Sequence, residues 1–532
     1  MIAKVECTGT RPATLTFGKT TILTSPPIEA NPNNRDPLLR PPKASLRPST
    51  LLSRFGWLAL GLAGGIFLQY GRGNNGEQGS KMNWIRDLVQ NRYVDSLDFD
   101  SLEAVSAQAL LNELDPFSTY LPPVEKQAAD EALEGNFDGI GVEFNLLNDS
   151  IRVVSALPGG PSERRGIRSG DRIVRIDAKP LPVSGLTNEW VLKNLRGPRG
   201  SKVRLTIYRP SGARLFEYVI VRDRIEIKSV DLAWRPAPGI AHLRINKFGG
   251  QTHREFCEAL TSLRKEGPID RLLLDLRGNP GGYLESAVAI ADEFLGGRKL
   301  VTYTKGYHQP RRDYYTTRDG IHEEGELVVL IDQGSASASE ILAGALHDHR
   351  RARLMGQRSY GKALVQQQFE RGDGSAIRLT VARYYTPRGR SIQTPYRPSQ
   401  NGDLSTDSGG IAPDYWAQPG YTAWSDAHIA LMESGALAEE ALRMAETEEA
   451  QRIKRLGASS FLASYQWPES SAKTLVQKQI PSLQNKPMDK AAWDALRASF
   501  KAHLGRTLFG HTVYMQVLAQ NDPVLRQACA LD

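Results

Sequence analysis

Two short runs of consecutive apolar residues most constrain what this chain can fold into. Residues 270–276 read DRLLLDL and residues 326–332 read ELVVLID. Apolar runs of this length, bounded by glycine and proline, are typical of strands buried on both faces. Helical patterns at 283–295 and 337–348 follow the two runs, so strands and helices alternate. The alternation predicts an α/β layered domain over residues 225–415.

Residues 136–224 have a different pattern, because short β-like runs are separated there by glycine and proline turns. The spacing predicts a compact, mainly β module of roughly 90 residues. Gly139, Ile140, Gly141 and Val142 stand just before one of the strands, where successive backbone N–H groups can bind an anion. The alternative is that these glycines only make a tight turn.

Helical patterns bracket these two domains. Residues 82–114 carry two apolar stripes at helical spacing, and Asp115-Pro116 ends the pattern. They belong to an N-terminal helical region at residues 81–132. Residues 416–532 return to helical patterns joined by polar links, which predicts a mostly helical C-terminal region.

Basic charge is concentrated at the start of the chain. The chain has 67 basic and 59 acidic residues, a net charge of +8, and residues 1–56 hold eight basic and three acidic ones. The remaining charge is nearly balanced and gives no support for nucleic-acid binding. Residues 1–55 are rich in proline and threonine without periodicity, which predicts a disordered tail.

Residues 56–70 (GWLALGLAGGIFLQY) are uncharged, and no small-residue cleavage site follows them. The pattern favours an uncleaved membrane anchor, with a signal-peptide core or a buried helix as the alternatives. Because basic residues precede the anchor, we expect the tail to stay in the cytoplasm and the rest of the chain to be exported.

The three cysteines, Cys7, Cys257 and Cys529, are far apart in the sequence. They form no CxxC motif and no evident cluster with histidine. The spacing therefore indicates neither a disulfide framework nor a zinc site. A single bridge between Cys257 and Cys529 stays open, because pairing cannot be read from sequence.

Two segments of the α/β domain could supply a nucleophile and a base. Residues 334–340 (GSASASE) lie between a buried strand and an apolar helix, where a hydroxyl can stand beside free helix N–H groups. His347 and His349 could not reach that hydroxyl, because ten helical residues span about 15 Å. Lys362 and Gln366 share a face of the next predicted strand, and burial could lower the pKa of this lysine until it acts as a base. Taken alone, a serine run more often caps a helix and a lysine more often lies at the surface.

Several motifs in one order resemble the C-terminal processing peptidases, the tail-specific proteases of peptidase family S41. The motifs are SASASE at 335–340, HD at 347–348, SYGK at 359–362, VQ at 365–366, DPFSTYLPP at 115–123 and LTVARYYTPRGRSIQ at 379–393. The module at 136–224 resembles the PDZ domains of exported proteases, with residues 188–195 as the helix that lines the peptide groove.

The resemblance implies a multidomain α/β fold. A ClpP/crotonase-like α/β serine protease core would carry an inserted β-rich PDZ domain and helical N- and C-terminal regions. By motif, Ser337 would be the nucleophile, Lys362 the general base and Gln366 the residue that orients the lysine.

The resemblance also implies the groups around that pair. The N–H of Ala338, with that of Gly281 or Gly282, would form the oxyanion hole. Asp348 matches an acidic position that some members need, although capping its helix or pairing with Arg351 would explain it equally well.

The function implied is that of an exported, membrane-anchored serine endopeptidase that cleaves proteins near their C-termini. The PDZ domain would bind free C-terminal tails in the loop at 139–142 and gate the site. We expect a bacterial inner-membrane anchor, a periplasmic catalytic part, no metal or organic cofactor, and self-association through the helical regions. The alternatives are a catalytically silent PDZ scaffold and an acyl-CoA enzyme of the related crotonase fold.

Overall fold

The computed structural model describes residues 80–147, 150–182, 185–396, 409–418, 424–481 and 488–531. The predicted tail at 1–55 and the predicted anchor at 56–70 lie outside these ranges. Within the described ranges, no helix is both long enough and apolar enough to cross a membrane. The chain divides into two units, residues 1–97 and residues 98–532.

In the first unit, helix α1 spans Lys81–Arg92. The Ser80 side chain caps its start by accepting a hydrogen bond from the Met82 N–H. The apolar stripe expected from the sequence is present on α1, but Trp84 is 59% exposed and Ile85 is 46% exposed.

The second unit opens with helix α2, strand β1 and helix α3. Their bounds are Phe99–Asn112, Thr119–Leu121 and Pro123–Glu134. Helix α3 has proline at its first position, where no intrahelical N–H bond is lost, and ends at Gly135 with a φ of 76°.

The β-rich module follows. Its strands are β2 (Asn136–Gly139), β3 (Val142–Leu147), β4 (Ser150–Ala156), β5 (Arg172–Ile176), β6 (Lys179–Pro180), β7 (Lys202–Arg209), β8 (Arg214–Val221) and β9 (Asp223–Glu226). Its helices are α4 (Pro161–Arg164) and α5 (Asn188–Leu195). The main sheet has the order β3-β4-β5-β7-β8 with β6 beside β5, while β2 pairs with β9. Strand β3 is therefore an edge, and among the described residues its outer side pairs with no strand.

The α/β core is built on a second sheet, with the order β10-β11-β12-β15-β16-β19. These strands are Val230–Ala237, Ile240–Ile245, Arg271–Asp275, Glu326–Ile331, Arg353–Gly356 and Tyr415–Trp416. The two apolar runs form β12 and β15, which are neighbours and parallel. Helices α6 (Thr252–Lys265), α7 (Leu284–Asp292) and α8 (Ala338–Asp348) pack on one face of the sheet. The multidomain α/β fold class is confirmed.

A third sheet has the order β1-β18-β13-β14, with β17 also paired to β18. The bounds are β13 (Leu300–Lys305), β14 (Arg312–Tyr315), β17 (Leu364–Glu370) and β18 (Ala376–Tyr385). Strand β1 pairs with the start of β18, although the β-rich module separates the two in sequence. This pairing brings the segment before β1 to the edge of the core.

The C-terminal region is helical, as predicted. Its helices are α9 (Asp426–Glu433), α10 (Ala436–Ala445), α11 (Glu448–Leu456), α12 (Ala458–Ser464), α13 (Glu469–Gln479), α14 (Lys490–Phe509), α15 (His511–Gln520) and α16 (Pro523–Cys529). Side chains alternate across a strand, so Leu273 and Val328 project from the face opposite to α6–α8. Val524 and Leu525 of α16 pack against them. The C-terminal region therefore covers the second face of the core sheet.

Candidate active site

Ser337 occupies the turn between β15 and α8, with backbone angles φ 56° and ψ −113°. A positive φ is uncommon for a residue with a side chain and is held only by surrounding contacts. Ser335 and Ser339 are fully buried, and their hydroxyls donate to the carbonyls of Leu276 (2.8 Å) and Asn279 (2.9 Å). Ser337 is half-buried. Of the three serines in the run, it is the one that is partly exposed.

The Lys362 side chain lies among three groups at the edge of the third sheet. Its Nζ donates to Gln366 Oε1 over 2.8 Å and lies 4.6 Å from the centre of the Phe117 ring. Gln366 in turn donates to the Phe117 carbonyl over 2.5 Å. Among the hydrogen bonds of the described residues, none joins the Lys362 amine to the Ser337 hydroxyl. Gln366 therefore fixes the amine in this state.

The electrostatic surroundings favour the neutral form of Lys362. Burial lowers the pKa of this lysine, and the positive charge of Arg378 lowers it further. The carboxylates of Asp115 and Glu340 oppose that change. The net direction is downward, which increases the fraction of the amine that can accept a proton.

Glu340 joins the turn that carries Ser337 to the turn that carries Lys362. Its Oε2 accepts the N–H of Ser337 (2.8 Å) and that of Lys362 (2.9 Å). Its Oε1 accepts the Ser359 hydroxyl (2.6 Å) and the Gly361 N–H (2.7 Å). Burial raises the pKa of Glu340, which is 1% exposed, and these four bonds oppose the rise. One carboxylate thus fixes the distance between the two backbones.

Tyr384 makes a second link between the same two turns. Its buried hydroxyl lies 2.7 Å from the Lys362 carbonyl and 3.1 Å from the Ser337 carbonyl. Strand β18 thus contacts both turns through the buried side chain of Tyr384.

Strand β17 begins after Lys362, because the Lys362 N–H is bonded to Glu340 and not to a neighbouring strand. The next N–H, that of Ala363, donates to Gln393 Oε1 over 2.8 Å. Strand β17 therefore begins at Leu364 rather than at the lysine, contrary to the sequence pattern.

The glycine turn after β12 lies directly against Ser337. A side chain on Gly281 would place its Cβ 2.8 Å from Ser337 Cβ and 2.9 Å from Ala338 N. The Gly281 N–H already donates to Asn279 Oδ1 over 2.9 Å. Among the described residues, no acceptor is found for the N–H of Gly282 or of Ala338, which is the first residue of α8. Of the three N–H groups expected to form an oxyanion hole, those of Ala338 and Gly282 are therefore the two without an acceptor among the described residues.

Asp348 lies at the far end of α8. It accepts the Arg388 N–H over 3.0 Å and pairs with the Arg390 guanidinium. The Arg351 guanidinium instead donates to backbone carbonyls, including that of Gly325 at 2.9 Å. The alternative in which Asp348 pairs with Arg351 is therefore wrong, because Arg390 reaches the carboxylate from the turn after β18.

The predicted carboxylate-binding loop joins β2 to β3 in the β-rich module. Gly139 pairs with β9, and Gly141 has a φ of 71°. The Ile140 carbonyl accepts the N–H (3.1 Å) and the hydroxyl (2.6 Å) of Ser162 at the start of α4. Within the described residues, the N–H groups of Ile140 and Gly141 have no acceptor. They lie next to the edge strand β3, which begins at Val142.

The two cysteines in the described part are free thiols, so no Cys257–Cys529 bridge is formed. The prediction of no clustering with histidine is wrong, because Cys257 Sγ lies 3.4 Å from His253 Nε2. The two residues are four apart on α6, which places both on one face of the helix. The four-residue spacing of His253 and Cys257 is therefore the sequence signal for this contact.

Sequence reasoning assigned no role to Phe117, Asn279, Glu340 or Tyr384. Glu340 stands three residues after Ser337, the S-x-x-E pattern in which a carboxylate accepts the N–H of a helix-capping residue. This pattern could have identified the bond to Ser337. No local pattern reveals Phe117, which reaches the lysine only through the β1–β18 pairing.

The chain is similar to known proteins in both its α/β core and its β-rich module. The family described as "Peptidase family S41" matches residues 239–415, and "PDZ domain" matches residues 139–218. The chain is 37% identical over 324 residues to the carboxy-terminal-processing protease of Bartonella bacilliformis, covering 60% of this chain and 74% of that protein. It is 34% identical to a probable CtpA-like serine protease of Staphylococcus aureus, covering 59% of this chain and 62% of that protein.

Among solved structures, the photosystem II D1 C-terminal processing protease is 28% identical, with a TM-score of 0.37. The match covers 64% of this chain and 87% of that one. The sequence identity to the Bartonella protein, over nearly three quarters of its length, establishes the relationship: the chain belongs to peptidase family S41 and carries a PDZ domain.

Proposed function

We propose that this protein is a serine endopeptidase that cleaves proteins near their C-termini, with Ser337 as nucleophile and Lys362 as general base. The proposal rests mainly on the Glu340 carboxylate. Its Oε2 accepts the backbone N–H of Ser337 over 2.8 Å and that of Lys362 over 2.9 Å, and so holds the two residues near each other. A nucleophile and its base act together only when their separation is fixed. The similarity to the carboxy-terminal-processing protease of Bartonella bacilliformis supports the substrate class.

In the proposed mechanism, neutral Lys362 removes the Ser337 hydroxyl proton as the oxygen attacks the peptide carbonyl. The N–H groups of Ala338 and Gly282 stabilise the oxyanion. Lys362 then gives its proton to the leaving amine, and water releases the acyl group from Ser337. The neutral amine can keep its bond to Gln366 during this step, because it donates an N–H to Gln366 Oε1 and accepts the hydroxyl proton with its lone pair.

The proposed assignment is tested by incubating the protein with an unstructured polypeptide and identifying fragments by mass spectrometry. We expect Ser337→Ala and Lys362→Ala each to lower the cleavage rate by at least about 10³-fold, as for the loss of a nucleophile or its base. Ser434→Ala and Lys305→Ala are controls of the same residue types outside the site and should retain activity. Equal cleavage by Ser337→Ala and the parent protein would refute the nucleophile assignment.

We also propose that the PDZ domain binds the C-terminal tails of substrates. A tail would extend the sheet at the free edge of β3, and its carboxylate would accept the N–H groups of Ile140 and Gly141. The test is fluorescence anisotropy with one peptide prepared with a free and with an amidated C-terminus. Amidation should abolish binding, and equal binding of both peptides would contradict the proposal.

Residues 56–70 are proposed to anchor the protein in the inner membrane, with the protease in the periplasm. The uncharged sequence and the basic residues before it support this arrangement. Fractionation of cells that express the full chain, or the chain from residue 80, tests it. Recovery of the full chain in the soluble fraction would contradict an anchor.

Self-association is proposed on the apolar stripe of α1. Its side chains at Trp84, Ile85 and Leu88 are each more than 40% exposed. Light scattering on the chain from residue 80 should give a mass above that of one copy, and Trp84→Asp should return it to one copy. A single-copy mass for the parent would contradict the proposal.

A further inference from the structure

A histidine, a cysteine and a glutamate converge on the helical layer of the core, and the proposed peptidase mechanism uses none of them. His253 and Cys257 lie on α6, and Glu293 directly follows α7. One ligand-type atom from each, Nε2, Sγ and a carboxylate oxygen, lies within 4.8 Å of the other two. In the part of the chain that the structure describes, this is the one cluster of three such residues.

The cluster does not have the geometry of a cysteine nucleophile activated by histidine. In such a triad, one ring nitrogen contacts the thiol and the other contacts the carboxylate. Here His253 Nε2 makes both contacts, 3.4 Å to Cys257 Sγ and 2.6 Å to Glu293 Oε1. A single nitrogen cannot take the thiol proton while it donates to the carboxylate.

The separations instead match the edges of a zinc coordination tetrahedron. With Zn–N and Zn–O of about 2.0–2.2 Å and Zn–S of about 2.3 Å, neighbouring ligand atoms lie roughly 3.4–3.6 Å apart. The distance from Cys257 Sγ is 3.4 Å to His253 Nε2 and 3.6 Å to Glu293 Oε1. Only the 2.6 Å separation between His253 and Glu293 must widen, by less than 1 Å.

A cation already lies where these lone pairs converge. Arg318 Nη2 is 2.9 Å from His253 Nε2 and also contacts Glu293 Oε1. If Nε2 carries a proton, it cannot accept from Arg318. If Nε2 carries no proton, its lone pair and the Glu293 Oε1 lone pairs are 2.6 Å apart and repel each other, because neither atom then has a proton to donate. A metal ion removes this conflict, because both atoms then donate lone pairs to it.

The surrounding structure supports a fixed site that an ion can reach. The rings of Phe256 and Phe294, each next to a cluster residue, pack 5.5 Å apart and hold α6 against the end of α7. Glu293 Oε2 accepts the Ile321 N–H over 3.1 Å, which orients the carboxylate. The His253 side chain is 28% exposed and Cys257 lines a surface cavity of about 350 Å³, so an ion can approach these two residues from solvent. The Arg318 side chain is half exposed, and its Nε lies 3.7 Å from Asp292 Oδ2. Its guanidinium can therefore move away from Glu293 and still keep the ion pair with Asp292.

We propose that His253, Cys257 and Glu293 bind a zinc ion that joins α6 to the end of α7. A thiolate, an imidazole and a carboxylate suit Zn²⁺ better than Mg²⁺ or Ca²⁺, which prefer oxygen ligands. Three protein ligands leave the fourth position to water. Burial and the charge of Glu293 raise the pKa of Cys257 to about 11, so zinc binding should release the thiol proton.

The test uses the untagged full chain, treated with a chelator and titrated with Co²⁺ as a spectroscopic substitute for zinc. We expect one equivalent to bind, with a thiolate-to-cobalt charge-transfer band and the intense visible absorption of four-coordinate cobalt, and Zn²⁺ to displace it. No charge-transfer band in the parent protein would overturn the proposal, whatever the variants do.

Variants assign the ligands. Cys257→Ser should abolish the charge-transfer band and weaken zinc binding by more than roughly 100-fold. Substitution of a residue that only hydrogen-bonds to a metal ligand already lowers metal affinity about 10- to 100-fold, and loss of a ligand should lower it further. Cys529→Ser and Cys7→Ser, matched controls at the other thiols, should keep the band. Arg318→Gln should bind zinc more tightly than the parent, because a competing cation is removed. A band that persists in Cys257→Ser, or an unchanged affinity in Arg318→Gln, would contradict the proposed site.

Discussion

The Ser337–Lys362 site and the PDZ domain are held in place by different kinds of interaction. At the site, the Glu340 carboxylate, which is 1% exposed, accepts hydrogen bonds from three backbone N–H groups and from the Ser359 hydroxyl. The PDZ domain meets the C-terminal helices through ion pairs, Arg506 with Glu143 and Arg152 with Glu439. Buried hydrogen bonds to a charge are costly to break, whereas a partly exposed ion pair such as Arg506–Glu143 contributes about 1 kcal/mol or less. The Arg152 side chain is only 10% exposed, so its pair with Glu439 is less accessible to water.

The difference separates two tasks within one chain. A nucleophile and its base need a fixed distance, so their turns are tied together in the interior. A PDZ domain that captures a tail, as proposed, does not need a fixed distance of this kind, and contacts that water can replace would allow it to move. The following variants test this contrast, from the largest expected effect to the smallest.

Gly281→Ala should abolish cleavage almost completely. The new Cβ would lie 2.8 Å from Ser337 Cβ and 2.7 Å from the Ala336 carbonyl oxygen, so the serine turn must move. A displacement of that kind costs about 100-fold or more in kcat/KM. Gly278→Ala is the matched control, because Gly278 also has a positive φ but no atom within 4 Å of the added Cβ. Equal losses in both variants would mean that backbone strain, not contact with Ser337, is responsible.

Glu340→Gln should lower both activity and stability. The amide NH₂ would face N–H donors in place of a carboxylate oxygen and leave buried groups without an acceptor. We expect a loss of about 1–3 kcal/mol in the free energy of unfolding, measured with urea, and slower cleavage. Glu285→Gln, at an exposed glutamate on α7, should change neither. Full activity in Glu340→Gln would show that the tie between the two turns is dispensable.

Arg378→Gln should shift the pH dependence of cleavage. With Lys362 as the proposed base, the rate should rise with pH as this lysine loses its proton, and Arg378 lowers the pKa of that lysine. Removing the positive charge raises this pKa, so the rising limb of kcat/KM should move to higher pH. Activity at neutral pH should fall, and activity at high pH should match that of the parent. Arg383→Gln, at an exposed position on the same strand, should leave the profile unchanged. A shift to lower pH would contradict the assignment of Lys362 as the base.

Arg506→Ala should have the smallest effect on stability, at most about 1 kcal/mol, because the Arg506–Glu143 pair is partly exposed to solvent. We expect hydrogen exchange in β3 to become faster while that in α8 is unchanged. Arg497→Ala is the control on the same helix, since Arg497 donates to the Trp467 carbonyl and not to the PDZ domain. Slower exchange in β3 would contradict a role of this ion pair in holding the domain.

Periodicity and turn residues predicted the strands and helices of this fold well. The runs at 270–276 and 326–332 form β12 and β15 because an all-apolar strand has to be buried on both faces. Residues 188–195 form α5, at the bounds expected from the PDZ resemblance. The covering of the core sheet by α16 could not be predicted, because an amphipathic helix does not specify which face it will cover.

The groups around the candidate site were predictable only where a local pattern encodes them. The S-x-x-E spacing encodes the bond between Ser337 and Glu340. Phe117 and Tyr384 come from distant segments, and only the pairing of β1, β17 and β18 brings them to Lys362. The choice between Gly281 and Gly282 depended on the Asn279 side chain, which accepts the N–H of one and not of the other.

The backbone of Ser337 has a consequence for how this protein can change over generations. Its φ of 56° costs about 1–3 kcal/mol for a serine and much less for a glycine. The substitution that removes the hydroxyl by introducing glycine would thus also relieve the strain. With Ser337 as the proposed nucleophile, loss of catalysis would accompany a gain in stability, so a duplicated copy freed from selection for cleavage would drift readily towards an inactive, more stable protein.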